Sequence, residues 1–295
     1  MNAALERVNS AHGDAHTGGF DTLMKFGYAG NGKDGAIPVV HISQARCNEL
    51  LKLALDKSLA DLEAEIATDL KPRTQVLKGW TVAGETSLKR IRTEVKNVIG
   101  VLEGEGPLAD ETIVVGAHYD HVGMGGDGSL APGVIEVHNG ADDNASGTSA
   151  LLEIAARLSE SKVQNRRRIV FIAFTGEEKG LMGSAHYVKH AVMPLDGCIG
   201  MINLDTVGRL FDGPLTVFGS NTAQGLSHVV RGVNYGFGFK LELPEKDQGG
   251  SDQANFVRKG VPAMQIFTGP HADYHRPGDT ADKIDYEGLE KIAGF

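Results

Sequence analysis

Asp142 and Asp143 stand next to each other in a segment of small residues, 140–147, that begins and ends with glycine. An apolar run over residues 150–158 follows directly. A turn of this kind can place a carboxylate at the end of a strand, with a helix beginning behind it. A carboxylate has two oxygens, so it can bridge two metal ions, which lie about 3.5–4 Å apart in paired sites and share a water molecule. We therefore begin from the hypothesis that Asp143 holds a pair of metal ions together.

Further side chains of types that can bind metals follow the predicted strands of the chain. They are His118, Asp120, His121, Glu177, Glu178, Asp205, His271, Asp273 and His275. Sites of open α/β sheets form just outside the carboxyl ends of strands, which is where these residues lie. Carboxylates grouped without basic partners would repel one another, and divalent cations remove that problem. Imidazole and carboxylate ligands without cysteine suit zinc, with manganese or cobalt as substitutes.

Each motif also has an ordinary structural interpretation. A His-x-Asp sequence, as at residues 118–120, is commonly a hydrogen-bonded pair, and adjacent glutamates such as Glu177 and Glu178 usually lie in a solvated loop. Asp205, after a predicted strand, has the position of many helix caps and turn residues. Five such coincidences at strand ends, in one alternating pattern, favour a joint metal site over five unrelated structural roles.

The elements that must position these residues alternate between strands and helices. Strands are predicted over residues 112–117, 168–174, 199–204, 215–218 and 263–267, and helices over 146–159, 181–192, 222–233, 251–259 and 286–295. Such alternation predicts a largely parallel sheet that is covered by helices on both faces. Upstream, residues 44–56 and 59–70 predict two amphipathic helices, and residues 74–103 predict a hairpin of two strands that leads into the sheet.

Length and composition limit the classes of protein to consider. With 295 residues, of which 41% are hydrophobic, the chain is long enough for one large α/β domain or one domain with an appendage. A formal net charge of −9 argues against nucleic acid or an anionic membrane surface as a partner. The two cysteines, Cys47 and Cys198, form no disulfide framework, and no apolar run reaches the length of a membrane span.

Several of these segments, taken together, resemble a known family. They are residues 116–120 (GAHYD), 140–147 (GADDNASG), 176–184 (GEEKGLMGS), 203–205 (NLD), 251–252 (SD), 274–275 (YH) and 279–280 (DT). They occur in the order found in the co-catalytic zinc aminopeptidases, which are related to glutamate carboxypeptidase, the transferrin receptor and glutaminyl cyclase. The resemblance covers roughly residues 97–295. It implies a three-layer α/β/α sandwich with a mixed, mostly parallel central sheet, and a small N-terminal appendage.

The resemblance also implies a ligand set for two zinc ions. Asp143 would bridge both ions. Glu178 and His275 would complete the protein ligands of one ion, and His118 and Asp205 those of the other. Every one of these five positions carries the residue type that the family pattern requires.

Other residues receive roles around the metals through the same resemblance. Glu177 would be the general base, which accepts a proton as hydroxide attacks and passes it to the leaving amine. Asp120 would orient His118 through the ring nitrogen that faces away from the metal. Gln248 lies in a glycine-rich loop where some relatives carry a tyrosine that stabilises the oxyanion, so it is a candidate substrate-binding residue.

The neighbours of Asp143 are expected to shape the turn. Asp142 would not bind metal, and the peptide bond between Asp143 and Asn144 would be cis, as in relatives. The remaining polar residues nearby are expected to line the pocket, to contact ligands from behind or to cap a helix; they are His121, His138, His271, Ser251 and Asp252.

The function that the resemblance implies is that of a zinc-dependent aminopeptidase, whose substrate is a peptide with a free N-terminus. Carboxypeptidase or dipeptidase action remains an alternative, although no arginine cluster for a C-terminal carboxylate stands out near the motifs. Glutaminyl cyclase action, which uses one zinc, and a non-catalytic receptor-like binding protein are less favoured, because the five-ligand set is intact.

The first part of the chain resembles something different. Residues 27–30 and 36–43 are similar to the rear part of a protease-associated domain. We therefore expect a truncated segment of this kind over residues 1–73 and the zinc peptidase domain over residues 74–295, with both ends of the chain cut short. The family resemblance implies a secreted or periplasmic protein, and the polar first residues show no signal peptide.

Overall fold

The computed structural model describes residues 42–81, 83, 92–246 and 249–295. The chain divides into two compact units, Met1–Ile91 and Arg92–Phe295. Residues 27–41, which carried most of the resemblance to a protease-associated domain, lie outside the described residues. The division of the chain between residues 73 and 74 therefore stays a prediction.

Two helices of the first unit match the predicted ones. Helix α1 spans Gln44–Leu55 and α2 spans Leu59–Asp69. Each begins at a serine: Ser43 accepts a hydrogen bond from an N–H of the first turn of α1, and Ser58 forms a capping box with Asp61 at the start of α2. These caps satisfy backbone N–H groups that have no partner within the helix.

The second unit is built on a seven-stranded sheet with the order β1-β3-β2-β4-β7-β5-β6. The strands are β1 (Val98–Leu102), β2 (Thr112–His118), β3 (Arg168–Phe174), β4 (Cys198–Leu204), β5 (Leu215–Phe218), β6 (Leu241–Glu242) and β7 (Ala263–Phe267). The pairs β2–β3, β2–β4, β4–β7 and β5–β6 are parallel, whereas β1–β3 and β5–β7 are antiparallel. The predicted mixed, mostly parallel sheet is confirmed.

Helices cover both faces of this sheet. They are α3 (Gly147–Glu160), α4 (Met182–Tyr187), α5 (Leu226–Phe237), α6 (Gln253–Val257) and α7 (Tyr286–Gly294). Alternate residues of β2 point to opposite faces: Val115 packs in a core with residues of α3, α5 and α7, and Val114 packs in a second core with residues of α4 and α6. Two cores on opposite faces of one sheet make the predicted three-layer sandwich.

The hairpin predicted over residues 74–103 is not found in the described part of that range, and residues 82 and 84–91 lie outside the described residues. Residues 74–81 carry no strand, and Val76 and Trp80 there are exposed. Within the described part of that range, the strand is Val98–Leu102, which pairs with β3 at the edge of the sheet. Alternating apolar residues alone are therefore not sufficient to form a strand over residues 74–81. No helix among the described residues is long and apolar enough to cross a membrane.

Candidate metal centre

The sheet order brings the predicted ligands together at the carboxyl ends of its parallel strands. Strands β3, β2 and β4 are parallel neighbours, so their carboxyl ends lie side by side. His118 is the last residue of β2, Glu178 follows β3 by four residues, and Asp205 follows β4 directly. His275 comes from the loop after β7, and Asp143 lies in the turn before α3.

Asp143 lies between two histidines. Its Oδ1 is 3.2 Å from Nε2 of His118, and its Oδ2 is 2.9 Å from Nε2 of His275. The carboxylate is almost fully buried, with a residue exposure of 2%. Each oxygen of one buried carboxylate therefore faces an imidazole from a different strand end.

Two groups of side chains that could hold a metal ion meet at Asp143. One consists of His118, Asp143 and Asp205, and the other of His121, Asp143, Glu178 and His275. In each group, the potential ligand atoms lie within 4.8 Å of one another. Nε2 of His118 is 3.6 Å from Asp205 Oδ1, and Nε2 of His275 is 3.2 Å from Glu178 Oε2. The structure thus brings together all five residues predicted as ligands, and Asp143 belongs to both groups.

Hydrogen bonds on the far side of the two rings fix their orientation. Nδ1 of His118 lies 3.0 Å from the carbonyl oxygen of Asp120, and Nδ1 of His275 lies 2.6 Å from that of Gly128. A carbonyl only accepts, so each Nδ1 donates, and Nε2 of the neutral ring keeps a lone pair. Those lone pairs face carboxylate oxygens, and neither Nε2 of His275 nor Oδ2 of Asp143 has a hydrogen-bond partner. These facing nitrogen and oxygen atoms are suited to hold a cation between them, and mixed nitrogen and oxygen ligation suits zinc.

The electrostatics of the site favour positive charge. Burial lowers the pKa of His275, but Asp143 and Glu178 outweigh it and raise the pKa to about 10. Burial also lowers the pKa of His118, but Asp205 and Asp143 raise it well above its usual value. Burial raises the pKa of Asp143, but the two histidines hold it below its usual range. The carboxylates that attract a proton to these rings would attract a divalent cation in the same way.

Glu177 belongs to neither metal-binding group, whereas Glu178 belongs to one. The two neighbours therefore have different positions within one turn, which follows Gly176 at φ +67°. Burial raises the pKa of Glu177 to about 9, and the carboxylates of Asp205 and Asp252 add to this effect. The carboxyl group of Glu177 lies beside the two metal-binding groups without belonging to either, so it is available to exchange a proton.

Asp120 corrects one detail of the sequence-based interpretation. The group that orients His118 is the backbone carbonyl of Asp120, because the carboxylate oxygen Oδ1 is 3.8 Å from Nδ1. The carboxylate instead accepts hydrogen bonds from the N–H groups of Glu177 and Glu178, at 3.1 and 3.3 Å. These bonds show that the carboxylate of Asp120 links the turn after β3 to the end of β2.

The turn around Asp143 is held from several sides. The carboxylate of Asp279 accepts hydrogen bonds from the N–H groups of Asp142 and Asp143, at 2.9 and 3.1 Å. Asp142 is fully buried, and its Oδ1 accepts the N–H of Gly208 at 2.5 Å, so it shapes the turn outside both metal-binding groups. The peptide bond between Asp143 and Asn144 is cis, as the resemblance implied.

His121 has a larger part than the sequence indicated. Its Nδ1 lies 2.8 Å from Glu178 Oε1 and 3.9 Å from Asp143 Oδ2, which places it in a metal-binding group. The available signal was its spacing from His118, three residues further along the same strand end. His271 instead faces Asp142, with its Nε2 3.3 Å from Oδ2.

The remaining described residues that were predicted near the site belong to neither metal-binding group. Asp252 stands at the start of α6 without making a capping hydrogen bond, so its predicted capping role is wrong. Its carboxylate accepts the hydroxyl of Ser184, and the hydroxyl of Ser251 accepts the amide of Asn203 at 2.9 Å. Gln248, the candidate substrate-binding residue, lies outside the described residues.

Residues 97–294 match the family model described as Peptidase family M28. The chain belongs to peptidase family M28. It is 32% identical over 240 residues to Aminopeptidase YwaD of Bacillus subtilis, a match that covers 78% of this chain and 47% of that protein. It is 28% identical over 211 residues to Leupeptin-inactivating enzyme 1 of Streptomyces exfoliatus, covering 71% of this chain and 42% of that enzyme. The chain spans about half the length of these curated relatives.

Solved structures of this M28 chain's relatives have the same architecture. A zinc aminopeptidase of Bacillus subtilis, BSAP, superposes with a TM-score of 0.55 at 30% identity, over 67% of this chain and 47% of that one. An aminopeptidase from Aneurinibacillus sp. strain AM-1 gives 0.56 at 29% identity, over 67% and 45%. Glutaminyl cyclase of Porphyromonas gingivalis gives 0.57 at 22% identity, over 67% and 74%, which is a likeness of fold.

Proposed function

We propose that this chain is a zinc-dependent aminopeptidase that binds two zinc ions at Asp143. Membership of family M28 supports a peptidase, and the relatives named above include zinc aminopeptidases. The substrate would be a peptide with a free N-terminus, and the reaction would be hydrolysis of its first peptide bond.

The observation that carries the proposal is the position of Asp143 between two metal-binding groups. A carboxylate that bound only one metal ion would need only one of its oxygens near an imidazole nitrogen. Here, Oδ1 faces His118 and Oδ2 faces His275, at 3.2 and 2.9 Å. We assign Glu178 and His275 to one ion and His118 and Asp205 to the other, with Asp143 as the ligand common to both. His121, which contacts Glu178, would support or join the first group.

When bound, paired zinc ions polarise the substrate carbonyl and lower the pKa of a water molecule. Glu177 would accept the proton of that water and give it to the leaving amine. Cations bound beside Glu177 would lower its pKa, so that it is ionised, and its exclusion from both metal-binding groups leaves this carboxylate free for the transfer. Asp120 would keep Glu177 in place, because it bonds the backbone N–H of that residue.

The arginine nearest the turn of Asp143 is not available to bind the C-terminal carboxylate of a carboxypeptidase substrate. A carboxypeptidase would need a free cation for the C-terminal carboxylate of its substrate. The arginine that lies behind Asp143, Arg209, is bound to Asp279 at 2.9 Å and lies 3.6 Å from Asp273.

A panel of aminoacyl-p-nitroanilides tests this function. The zinc-loaded protein is expected to release p-nitroaniline from substrates with a free amine and not from their N-acetylated counterparts. A chelator should abolish the release, and added zinc should restore it. Equal cleavage of acetylated substrates would disprove the aminopeptidase assignment, while hydrolysis of N-blocked dipeptides alone would favour a carboxypeptidase.

A further inference from the structure

Residues 122–138 form a loop between the end of β2 and the turn of Asp143, and we name it the glycine loop because it contains five glycines. Its last residue, His138, is buried, with an exposure of 3%. Nε2 of His138 lies 2.8 Å from Oγ of Ser129, and Nδ1 lies 3.0 Å from the carbonyl of Glu136. Because the carbonyl can only accept, Nδ1 donates, and Nε2 of the neutral ring accepts the hydroxyl proton of Ser129.

The glycine loop closes around the ring of His138. The N–H of His138 donates to the carbonyl of Gly123 at 2.7 Å. A Cβ atom at Gly125 would lie 2.9 Å from Cε1 of His138, and φ there is +90°, so the loop backbone approaches the ring in a way that requires glycine. Oγ of Ser129 also accepts the N–H of Ala131 at 3.0 Å. Ser129 is therefore fixed from two directions.

The residues on either side of Ser129 hold His275. The carbonyl of Gly128 accepts from Nδ1 of His275 at 2.6 Å, and the N–H of Leu130 donates to the carbonyl of His275 at 3.0 Å. His275 has φ +52°, in the left-handed region that is disfavoured for residues with a side chain. Both its backbone and its ring are thus supported by a three-residue segment with Ser129 at the centre.

We propose that the Ser129–His138 pair is a positioning device for His275 and sets how tightly the group of Glu178 and His275 binds its metal ion. The inference rests on the proposed function, since it assumes a metal ion at this group. Ser129 and His138 belong to neither metal-binding group and act through Gly128 and Leu130. Loss of the pair would loosen the acceptor that fixes the tautomer of His275 and the donor that holds its backbone.

The other metal-binding group provides the internal control. The ring of His118 is held by the carbonyl of Asp120, which lies outside the glycine loop. Ser129→Ala should therefore weaken metal binding at Glu178 and His275 and leave the group of His118 and Asp205 unchanged. Ser129→Thr, which keeps the hydroxyl, should restore binding. Met124→Ala, at an exposed position of the same loop, is the matched control.

The test measures zinc affinity by competition with a chromophoric chelator, in two backgrounds that each keep one group intact. With Asp205→Asn, where Glu178 and His275 retain their ion, Ser129→Ala should raise the zinc dissociation constant about 10-fold, the lower end of the effect of groups that orient a ligand. With Glu178→Gln, the same substitution should change it less than about twofold. Equal weakening in both backgrounds, or no weakening in either, would overturn the proposal.

A second measurement works without any metal. In the zinc-free wild-type chain, the amide hydrogen of Leu130 should exchange slowly, because it is bonded to the carbonyl of His275. Ser129→Ala should speed its exchange, and Ser129→Thr and Met124→Ala should not, with circular dichroism confirming that every variant is folded. Unchanged exchange in Ser129→Ala would refute the link between Ser129 and His275. If the wild type binds no zinc, the proposed function fails, and exchange of the Leu130 amide still decides the positioning role.

Discussion

The side chain of Asn144 holds the backbone on both sides of Asp205. Its Nδ2 donates to the carbonyl of Leu204 at 2.9 Å, and its Oδ1 accepts the N–H of Thr206 at 3.2 Å. Asn144 follows Asp143 directly, so one buried amide couples the carboxylate shared by both metal groups to a ligand of one of them. Two segments of the chain separated by about 60 residues are thereby fixed as a single unit.

Asn144→Ala is expected to lower both stability and zinc affinity. The substitution removes the partners of buried backbone groups at Leu204, Thr206 and Gly147. Each unsatisfied buried group costs about 1–3 kcal/mol, so the free energy of unfolding should fall by roughly 2–4 kcal/mol after partial relaxation. Urea unfolding of the zinc-free protein measures this. Asn139→Ala removes a single exposed hydrogen bond, to the carbonyl of Pro277, and should cost at most about 1 kcal/mol, and equal losses in the two variants would contradict the argument.

Glu177→Gln should keep zinc and lose activity. A glutamine of the same shape cannot accept and return a proton, so kcat should fall by about 10²–10⁴-fold. Glu178→Gln is the matched substitution one residue later, and it should lower zinc content as well, because Glu178 is part of a metal-binding group. Elemental analysis and turnover of an aminoacyl-p-nitroanilide separate the two outcomes. Normal turnover by Glu177→Gln would remove it as the base.

The positions of the strand-end residues could be predicted because the signals are local. Apolar runs in β2, β3 and β4 end where polar residues begin, and parallel pairing then brings those ends together. The exact partners of each side chain could not be predicted in the same way. Whether Asp120 bonds His118 through its carbonyl or its carboxylate depends on where the N–H of Glu177 lies, 57 residues away in the chain.

The ends of helices were harder to predict than their existence. A helix was predicted over residues 222–233, and α5 spans Leu226–Phe237. Gly225 and Gly238, both with positive φ, stand just before and just after it. Apolar periodicity persists through such residues and does not reveal which glycine adopts the left-handed conformation. The predicted helix over residues 251–259 is likewise only Gln253–Val257 in the structure.

Asp143→Asn should weaken zinc binding at both groups, since it is the residue that they share. Asp205→Asn should weaken only one, because Asp205 belongs to a single group. Asp142→Asn is the control: the neighbouring carboxylate accepts the N–H of Gly208, a role that an amide oxygen can also fill. After dialysis at fixed free zinc, Asp142→Asn should retain the wild-type content. Selective loss of one ion from Asp143→Asn would reassign that residue to a single group.

Asp120→Asn should reduce turnover while the zinc content stays at the wild-type value. An amide oxygen can accept one of the two N–H groups of Glu177 and Glu178, and the amide nitrogen then faces the other donor. The turn that carries the base should shift, which lowers kcat by about 10–100-fold. His118 keeps its backbone acceptor, so its ion should remain. Loss of zinc without a change in the turn would show that the carboxylate, and not the carbonyl, orients the imidazole.

Zinc should stabilise the folded chain in proportion to the logarithm of its free concentration. An ion that binds only the native state adds about 2.7 kcal/mol at a concentration 100 times its dissociation constant. The buried nitrogen and oxygen atoms that face one another at Asp143 are brought together only by folding, so the unfolded chain should bind zinc weakly. Thermal unfolding in zinc buffers should give a rising Tm, and its slope against log free zinc should be about twofold smaller in Asp205→Asn, which retains one group. A Tm independent of zinc in the wild type would argue against a metal ion at this centre.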